Sequence, residues 1–227
     1  MSSSRIYIVT EGQTETFFVK QILDPLFSPR GITLIPCTLV TKTDRKAGRQ
    51  FKGGISNYSK AKNDILRCLS YTKEKNVYVS TMFDLFRLPN DFPGFQTAMR
   101  ETDPYRKVKY LESALRDDID GGKPVFIPYL QLHEFEALLF SEPAVMGSYF
   151  FDKDTNQIQA AAQQYKNPEL INGGEETAPS WRILKCVPAY EKVTDGIAIT
   201  EKIGLSVLRQ KCAHFNEWIS CLESLPV

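Results

Sequence analysis

The sequence predicts an α/β protein whose mostly parallel sheet is flanked by helices and followed by a C-terminal helical extension. Over the first 140 residues, short runs rich in β-branched and aromatic residues alternate with segments whose apolar residues recur every three or four positions. Such alternation is typical of strand–helix–strand units, which build parallel sheets. After about residue 141 the pattern changes to helical segments and loops. We therefore expect an α/β core over 1–140 and a helical extension over 141–227.

Four short runs have the composition of strands: residues 5–10, 32–40, 77–83 and 125–132. The second run contains Pro36, which removes one hydrogen-bond donor and predicts an edge strand or a bulge. The third run is apolar nearly throughout, as expected for a strand covered by helices on both faces.

Helices are predicted between these strands from the spacing of apolar residues: 14–23, 58–69, 108–119 and a helix start within 133–140. Pro25 is expected to end the first of them, because the residue before a proline is pushed out of the helical region. Gly121 and Gly122 are expected to end the third.

The composition excludes several classes of protein. With 28 basic and 27 acidic side chains among 227 residues, the formal charge is +1, so the chain is not a uniformly basic nucleic-acid coat, although a local basic patch is compatible with this charge. No apolar run approaches the roughly 20 residues that span a bilayer, and the N-terminus lacks a signal-peptide core. We expect a soluble, cytoplasmic protein without membrane contact. The five scattered cysteines never form a CxxC pair, which favours reduced core thiols.

Acidic side chains follow three of the predicted strands. Glu11 follows the first strand, with Glu15 one helical turn later; Asp84 follows the third; Glu134 and Glu136 follow the fourth. Because functional crevices of open α/β sheets lie outside the carboxyl ends of the strands, these acids are candidates for one shared site. Carboxylates held together are the usual ligands of hard divalent cations, and Mg²⁺ (or Mn²⁺) suits this set best. The ordinary explanation is that acids near helix N-termini stabilise the helix dipole.

Two histidines complete the inventory of reactive side chains. His133 precedes Glu134, and imidazole is able to act as a general base or as a metal ligand. A structural histidine is the equally weighted alternative. His214 has no acidic neighbours in the sequence, and we interpret it as structural.

The most basic stretch of the chain is a candidate track for a phosphate backbone, with Phe51 and Tyr58 interleaved as stacking partners. Its cationic residues are Lys42, Arg45, Lys46, Arg49, Lys52 and Lys62. An ordinary solvated loop is the alternative. A second cluster, formed by Arg182, Lys185, Tyr190 and Lys192, is more simply explained as a helix surface.

Other chemistries have less support in the sequence. There is no GxxxxGK[ST] phosphate loop and no serine in a nucleophile-elbow context. Paired carboxylates of the glycosidase kind are conceivable, but the basic stretch favours an anionic substrate.

The acidic segments resemble a known family. Glu11-Gly12-Gln13-Thr14-Glu15 is similar to the first motif of the Toprim domain, which topoisomerases, primases and nucleases of the overcoming-lysogenization-defect type share. The whole chain resembles a bacterial Toprim-like family known only as a domain of unknown function. The resemblance extends over Met82-Phe83-Asp84, the segment 88–94, the run QLHEFEALLF at 131–140 and the segment 215–218.

The resemblance implies a Toprim-like, Rossmann-like core and assigns roles to the acids. Glu11 becomes a metal ligand or general acid/base, Glu15 a second ligand, and Asp84 the first acid of the family's DxD motif. The sequence departs from that motif because Phe86 occupies the second acidic position. Asp91 or the segment 133–136 would have to substitute, and Glu134 or Glu136 could match a glutamate that follows a later strand in these nucleases.

The function implied by the resemblance is a Mg²⁺-dependent nuclease acting on DNA or on RNA such as tRNA. The catalytic set would be Glu11 and Glu136, to which His133 is added because it stands beside two acids at a strand end. Glu11, Glu15, Asp84, Glu134 and Glu136 form the pool of metal ligands. Family members resemble partners of a separately encoded ATPase of the AAA or ABC type in bacterial anti-phage defence. Two alternatives stay open, namely an inactive Toprim-like binding subunit of such an ATPase complex and another metal-dependent phosphotransferase. Homo-oligomerisation is also left open.

Overall fold

The computed structural model describes residues 3–39, 55, 57–73, 75–120, 125–171 and 174–227. The chain forms two compact units, one of Met1–Leu130 with Leu225–Val227 and the other of Gln131–Ser224. None of the helices in the described ranges has both the length and the apolar character needed to span a membrane. The basic residues Lys42, Arg45, Lys46, Arg49 and Lys52 lie outside the described residues, as does Phe51.

The first unit is built on a parallel sheet, which confirms the predicted α/β fold. The strands of the sheet are β1 (Ser4–Thr10), β2 (Ile32–Thr38), β3 (Val77–Asp84), β4 (Phe126–Ile127) and β5 (Leu130–Gln131), of which β5 ends on the first residue of the second unit. They lie in the order β2-β1-β3-β4, β5 also pairs with β3, and β1/β2, β1/β3 and β3/β4 are all parallel pairs. The edge position predicted from Pro36 is confirmed, since β2 is the first strand of this order.

The helices of the first unit match the predicted spacing with one exception. They are α1 (Gln13–Phe17), a π-helical turn (Phe18–Leu23), α2 (Asp24–Phe27), a 3₁₀ turn (Ser28–Arg30), α3 (Tyr58–Leu69), a 3₁₀ turn (Ser70–Lys73), α4 (Phe95–Ala98) and α5 (Pro104–Asp120). The exception is Pro25, which was expected to end the first helix. The N–H of Asp24 donates to the carbonyl of Val19, so the helix widens there and Pro25 falls in the first turn of α2, where its missing N–H costs little.

The predicted strand 125–132 is divided in two, because Pro128 has no N–H to donate. A side chain of β3 bridges the gap. The Thr81 hydroxyl donates to the carbonyl oxygen of Tyr129 and accepts from its N–H, both at 2.9 Å. The hydroxyl thus replaces part of the backbone ladder between β4 and β5.

The second unit is helical. Its elements are a 3₁₀ helix (Phe135–Ser141), α6 (Pro143–Tyr149), α7 (Asn156–Gln163), 3₁₀ turns (Pro168–Leu170 and Glu175–Thr177), α8 (Pro179–Cys186), α9 (Thr194–Ile203), α10 (Leu205–Lys211) and α11 (Ala213–Glu223). The segment 135–141 is fully buried and packs against α8 and α9, which explains why it belongs to this unit. The units therefore divide between Leu130 and Gln131, ten residues before the boundary expected from the sequence.

The expectation that all five cysteines are core thiols is wrong for three of them. All five are free; Cys68 and Cys212 are buried, Cys37 and Cys186 are partly exposed, and Cys221 is exposed. Helix α11 buries Phe215, Trp218, Ile219 and Leu222, and Cys221 lies outside that stripe.

Candidate functional site

The acids that follow β1 and β3 lie side by side. Oε2 of Glu11 accepts a hydrogen bond of 3.0 Å from the N–H of Asp84, and the N–H of Glu11 donates to the carbonyl of Met82 at 3.3 Å. From β1 the chain passes to β2 on one side and then returns across β1 to β3 on the other, so the order reverses between β1 and β3. Crevices at such a switch point are the usual ligand sites of open α/β sheets.

Glu15 is engaged in capping the helix that begins beside this site. It is buried, and its Oε2 accepts a hydrogen bond of 2.9 Å from the N–H of Gly12, the residue that caps α1. This is the reach-back of a capping box, in which an acid at the third helical position satisfies the capping residue's N–H. A Cβ at position 12 would lie 3.2 Å from the same oxygen, so glycine suits this close approach.

Three threonine hydroxyls next to the acids were not singled out from the sequence. The Oγ1 atoms of Thr10 and Thr16 lie 2.6 Å apart, and those of Thr16 and Thr38 lie 2.7 Å apart. Thr10 and Thr38 are paired in the register of β1 and β2, whereas Thr16 comes from α1. The sequence signal for this cluster was a threonine at the end of each of two predicted strands. That the two threonines are paired across the strands is known only from the tertiary structure.

Phe86 stands where the DxD pattern has its second acid, and the structure shows the surroundings of this position. Asp84 ends β3 with a largely buried side chain, and the ring of Phe86 lies under the guanidinium of Arg87, 5.1 Å from ring centroid to Cζ. Asp91, one suggested substitute, accepts hydrogen bonds of 3.1 Å on both carboxylate oxygens from the N–H of Tyr58. Asp91 therefore anchors the start of α3.

In the second unit, Glu134 binds the N-terminus of α8. Its Oε1 accepts from the N–H of Ser180 at 2.5 Å, and its Oε2 accepts from the Ser180 hydroxyl at 3.0 Å. Ser180 is the second residue of α8, so the carboxylate compensates the unsatisfied N–H groups and the dipole of that helix.

Glu136 is a fully buried carboxylate with a cationic partner in the same unit. Its Oε2 lies 3.1 Å from Nζ of Lys192, and its side chain has no exposed surface. Burial raises the pKa of Glu136 to about 7, while the Lys192 charge opposes the shift and the Glu134 charge adds to it. Burial likewise raises the pKa of Tyr190, with the Glu136 charge as the next cause. Lys192 of the second basic cluster thus serves an internal ion pair.

The two histidines occupy different environments. His133 is partly exposed and has a φ of 67°, a left-handed backbone conformation that is strained for a residue other than glycine. His214 is buried, and its N–H donates to Glu169 at the start of α11. His214 therefore occupies a structural position, as interpreted from the sequence.

Lys62 belongs to α3, where Nζ lies 2.8 Å from Oδ2 of Asp118 in α5. Both side chains are about one-third exposed, with 35% and 38% of their surface accessible. Screening by solvent leaves such a pair weak.

The donor set available to a metal ion is small. Within the described ranges, no group of three or more His, Cys, Asp or Glu side chains lies close enough together to hold an ion. The Glu11 carboxylate nevertheless lies against the backbone of Asp84, and Mg²⁺ is commonly held by one or two carboxylates with water and substrate phosphate completing its octahedron. Glu11 and Asp84 are the two residues here that could contribute carboxylate oxygens to such an ion.

These features define a class, that of parallel α/β proteins with an acidic pair at the switch point of the sheet. The chain belongs to the DUF4276 family, described as a domain of unknown function, whose profile matches residues 10–223. No curated protein sequence matches the chain.

Among solved structures, the chain is similar to the C-terminal region of the OLD protein of Xanthomonas campestris pv. campestris. The two share 14% sequence identity with a TM-score of 0.46, and the match covers 98% of this chain and 96% of that chain.

Proposed function

We propose that this protein is a Mg²⁺-dependent nuclease that hydrolyses phosphodiester bonds of DNA or RNA, with Mn²⁺ able to replace Mg²⁺. The observation that carries the proposal is the placement of Glu11 against Asp84 at the carboxyl ends of β1 and β3. The resemblance to Toprim motifs assigns ligand or acid/base roles to these same two positions.

The proposed ligands are Glu11 and Asp84. A bound Mg²⁺ would supply Lewis-acid stabilisation of the scissile phosphate and a lowered pKa for bound water. Glu15 positions α1 through Gly12, and the buried Thr10 hydroxyl, bonded to Thr16, lies at the end of β1 one residue before Glu11. Asp84 N–H holds one oxygen of Glu11, which orients its carboxylate.

The sequence offered Glu134 and Glu136 of the segment 133–136 as metal ligands, and the proposal does not keep them in that role. The oxygens of Glu134 are bonded to Ser180 and those of Glu136 face Lys192, so we leave both out of the proposed ligand set. Glu136 as a catalytic residue stays in the proposal on the resemblance alone. His133 as a general base stays in it because of its imidazole and its place beside two acids in the sequence.

The proposed biological role is that of an effector in bacterial anti-phage defence, cytoplasmic and controlled by a separately encoded AAA- or ABC-type ATPase. The family resemblance supports this role. Nucleic acid would be held by the basic residues between 42 and 62, because their charge suits a phosphate backbone, with Phe51 as an interleaved stacking partner. Tyr58, the other stacking partner expected from the sequence, is left out because it is buried and its ring packs against that of Phe92.

The test is a cleavage assay with purified protein on plasmid DNA, single-stranded DNA and total tRNA, each with Mg²⁺, Mn²⁺ or chelator. The variants are Glu11→Gln and Asp84→Asn, with Glu201→Gln on the exposed side of α9 as the matched control. Glutamine keeps one oxygen that can accept from Asp84 N–H, so the fold should persist. We expect cleavage by the wild type and the control, and a loss of about 100-fold or more in both site variants.

If no cleavage is observed, calorimetric titration with Mn²⁺ tests whether the protein binds the metal. Absence of cleavage together with absence of Mn²⁺ binding would contradict the proposal. Mn²⁺ binding that Glu11→Gln removes, without cleavage, would support an effector that needs its partner.

A second candidate function is an inactive Toprim-like subunit that binds the partner ATPase. It is favoured by Phe86 in place of the second acid and by the lack of a three-ligand cluster within the described ranges. This candidate predicts no metal-dependent cleavage and no effect of Glu11→Gln on partner binding.

A further inference from the structure

The turn that follows β3 holds an arginine in a strained backbone conformation. The N–H of Leu88 donates to the carbonyl of Leu85 at 3.4 Å, so residues 85–88 form a turn that begins immediately after Asp84. Arg87, the third residue of this turn, has a φ of 63°. A positive φ at the third position is required by a type II turn and is normally supplied by glycine. Arg87 therefore stands where glycine would fit without strain.

The guanidinium of Arg87 is oriented by the residue before it. Its Cζ lies 5.1 Å from the centroid of the Phe86 ring, a cation–π contact that directs the group and leaves its positive charge in place. The Arg87 side chain is exposed, whereas the next residue, Leu88, is buried. The turn is thus anchored in the core on one side of Arg87 and presents an oriented cation at the surface.

This cation follows directly on the proposed metal ligands. Asp84 is the last residue of β3, and Oε2 of Glu11 accepts from its N–H. The turn 85–88 leaves the carboxyl end of β3, so it begins at the edge of the sheet where crevices of parallel α/β proteins bind their ligands. Acidic oxygens and a guanidinium are therefore brought to the same edge by four consecutive residues.

The chemistry of phosphodiester hydrolysis calls for such a cation. Negative charge develops on the phosphate oxygens and on the leaving oxygen, and in sites with two metal ions the second ion stabilises part of it. Phe86, at the position of the missing second acid, has no oxygen with which to bind a second ion, and the next residue is the cationic Arg87. A guanidinium binds phosphate oxygens through two parallel hydrogen bonds and stays charged at any working pH.

We infer that Arg87 binds the phosphate that is cleaved and supplies the positive charge for which position 86 lacks a metal-binding acid. This role rests on the proposed function and adds to it the residue that holds the reacting group of the substrate. Arg87 contributes charge and orientation and transfers no proton. Glycine would relieve the strain at position 87 but would leave the phosphate without this partner.

The first measurement is the affinity of the full-length protein for a labelled DNA duplex, a labelled DNA single strand and labelled tRNA, in chelator and at several salt concentrations. Each phosphate contact that is lost reduces the steepness of log affinity against log salt by about 0.9 for duplex DNA and about 0.7 for a single strand. We expect Arg87→Gly to lose one such contact. Arg87→Lys keeps the charge and should retain the wild-type slope.

Two control variants separate loss of charge and relief of strain from loss of the proposed contact. Arg30→Gln removes an exposed arginine that lies shortly before β2, and Asn76→Gly relieves a positive φ of 58° immediately before β3. Because these strands are parallel to β1, both positions lie at the amino edge of the sheet, opposite to Asp84. Neither control should change the salt slope.

Cleavage with Mg²⁺ and urea denaturation complete the test. We expect Arg87→Gly to lose about 100-fold or more in cleavage rate, as when one group that stabilises developing charge is removed. Arg87→Lys should recover part of that loss, because it restores the charge without the paired hydrogen bonds. The urea midpoint of Arg87→Gly should not fall below that of the wild type, since glycine adopts a positive φ freely.

The outcomes distinguish this role from the proposed function. Cleavage by the wild type together with an unchanged salt slope in Arg87→Gly would overturn the role of Arg87 and leave the nuclease intact. A lowered urea midpoint with an unchanged slope would overturn it as well, by showing that Arg87 serves only the turn. Wild-type protein that neither binds nor cleaves any of the three nucleic acids would overturn both. If the wild type binds without cleaving, a reduced slope in Arg87→Gly supports the role and an unchanged slope overturns it.

Discussion

At the scale of single residues, the acids of this chain are distinguished by what their oxygens accept. Glu15 and Glu134 accept from helix N-termini, and Glu136 faces an ammonium group. All five acids, including Glu11 and Asp84, follow predicted strands, so their positions in the sequence do not distinguish them. Their hydrogen-bond and ion-pair partners do.

Glu169 is a buried acid that the sequence does not mark, since it lies in a polar stretch between helices. It is fully buried, and its two oxygens accept from the N–H groups of His214 and Phe215 at 3.1 and 2.9 Å. These are the second and third residues of α11, so Glu169 provides the N-terminal cap for the helix.

Glu169→Ala is expected to lower the free energy of unfolding by about 2 to 3 kcal/mol, because it withdraws a charged acceptor from two buried N–H groups. Glu169→Gln keeps one acceptor oxygen and should lose less. Urea denaturation measures both, with Glu201→Ala on the exposed surface of α9 as the control. A loss no larger than that of the control would contradict the capping role.

At the scale of elements, the sheet depends on a side chain where its backbone ladder is interrupted. The Thr81 hydroxyl is fully buried and both donates to and accepts from Tyr129, immediately after Pro128. The neighbouring Ser80 hydroxyl donates to the carbonyl of Ile127 at 2.6 Å. The hydroxyls of two successive residues of β3 thus form hydrogen bonds to the backbone on both sides of Pro128, where β4 and β5 are separated.

Thr81→Val is expected to destabilise the protein by about 1 to 2 kcal/mol, since valine preserves the shape but removes both hydrogen bonds. Thr33→Val is the matched control, because Thr33 is exposed on β2 and valine favours strands. Denaturation midpoints of the two variants provide the comparison. Equal midpoints would show that the hydroxyl bridge adds nothing to stability.

At the scale of the whole molecule, the buried Glu136 couples folding to pH. Its pKa is raised from an ordinary value of 4.5 to about 7, so between these values the folded state holds a proton that the unfolded chain has released. The free energy of unfolding therefore falls as pH rises from 4.5 to 7 and levels off above 7. The loss is on the order of 3 kcal/mol.

Glu136→Gln is expected to remove this part of the pH dependence, because glutamine does not titrate. Urea denaturation at several pH values between 4.5 and 8 measures the wild-type curve, the variant curve and that of Glu142→Gln, an exposed acid of the same unit. As pH rises to about 7, the free energy of unfolding of the wild type should fall progressively relative to that of Glu136→Gln. A constant difference would show that Glu136 titrates alike in the folded and unfolded chain.

The sequence by itself determined the succession of strands and helices in the first unit and the residues that end β1 and β3, and it offered the edge position of β2 as one of two alternatives. These are local properties, because the period of apolar side chains and the chemistry of proline and glycine act over a few neighbouring residues. Pro25 shows the limit of that information, since a single π-helical turn let the helix continue through it.

Only the tertiary structure decided which acids are engaged. Glu134 binds Ser180 and Asp91 binds Tyr58, both through contacts between residues more than 30 positions apart. The division of the fourth strand also depends on Thr81, which lies 48 residues from Tyr129. Hydrogen-bond partners and burial arise from packing between distant segments, so no spacing within one segment encodes them.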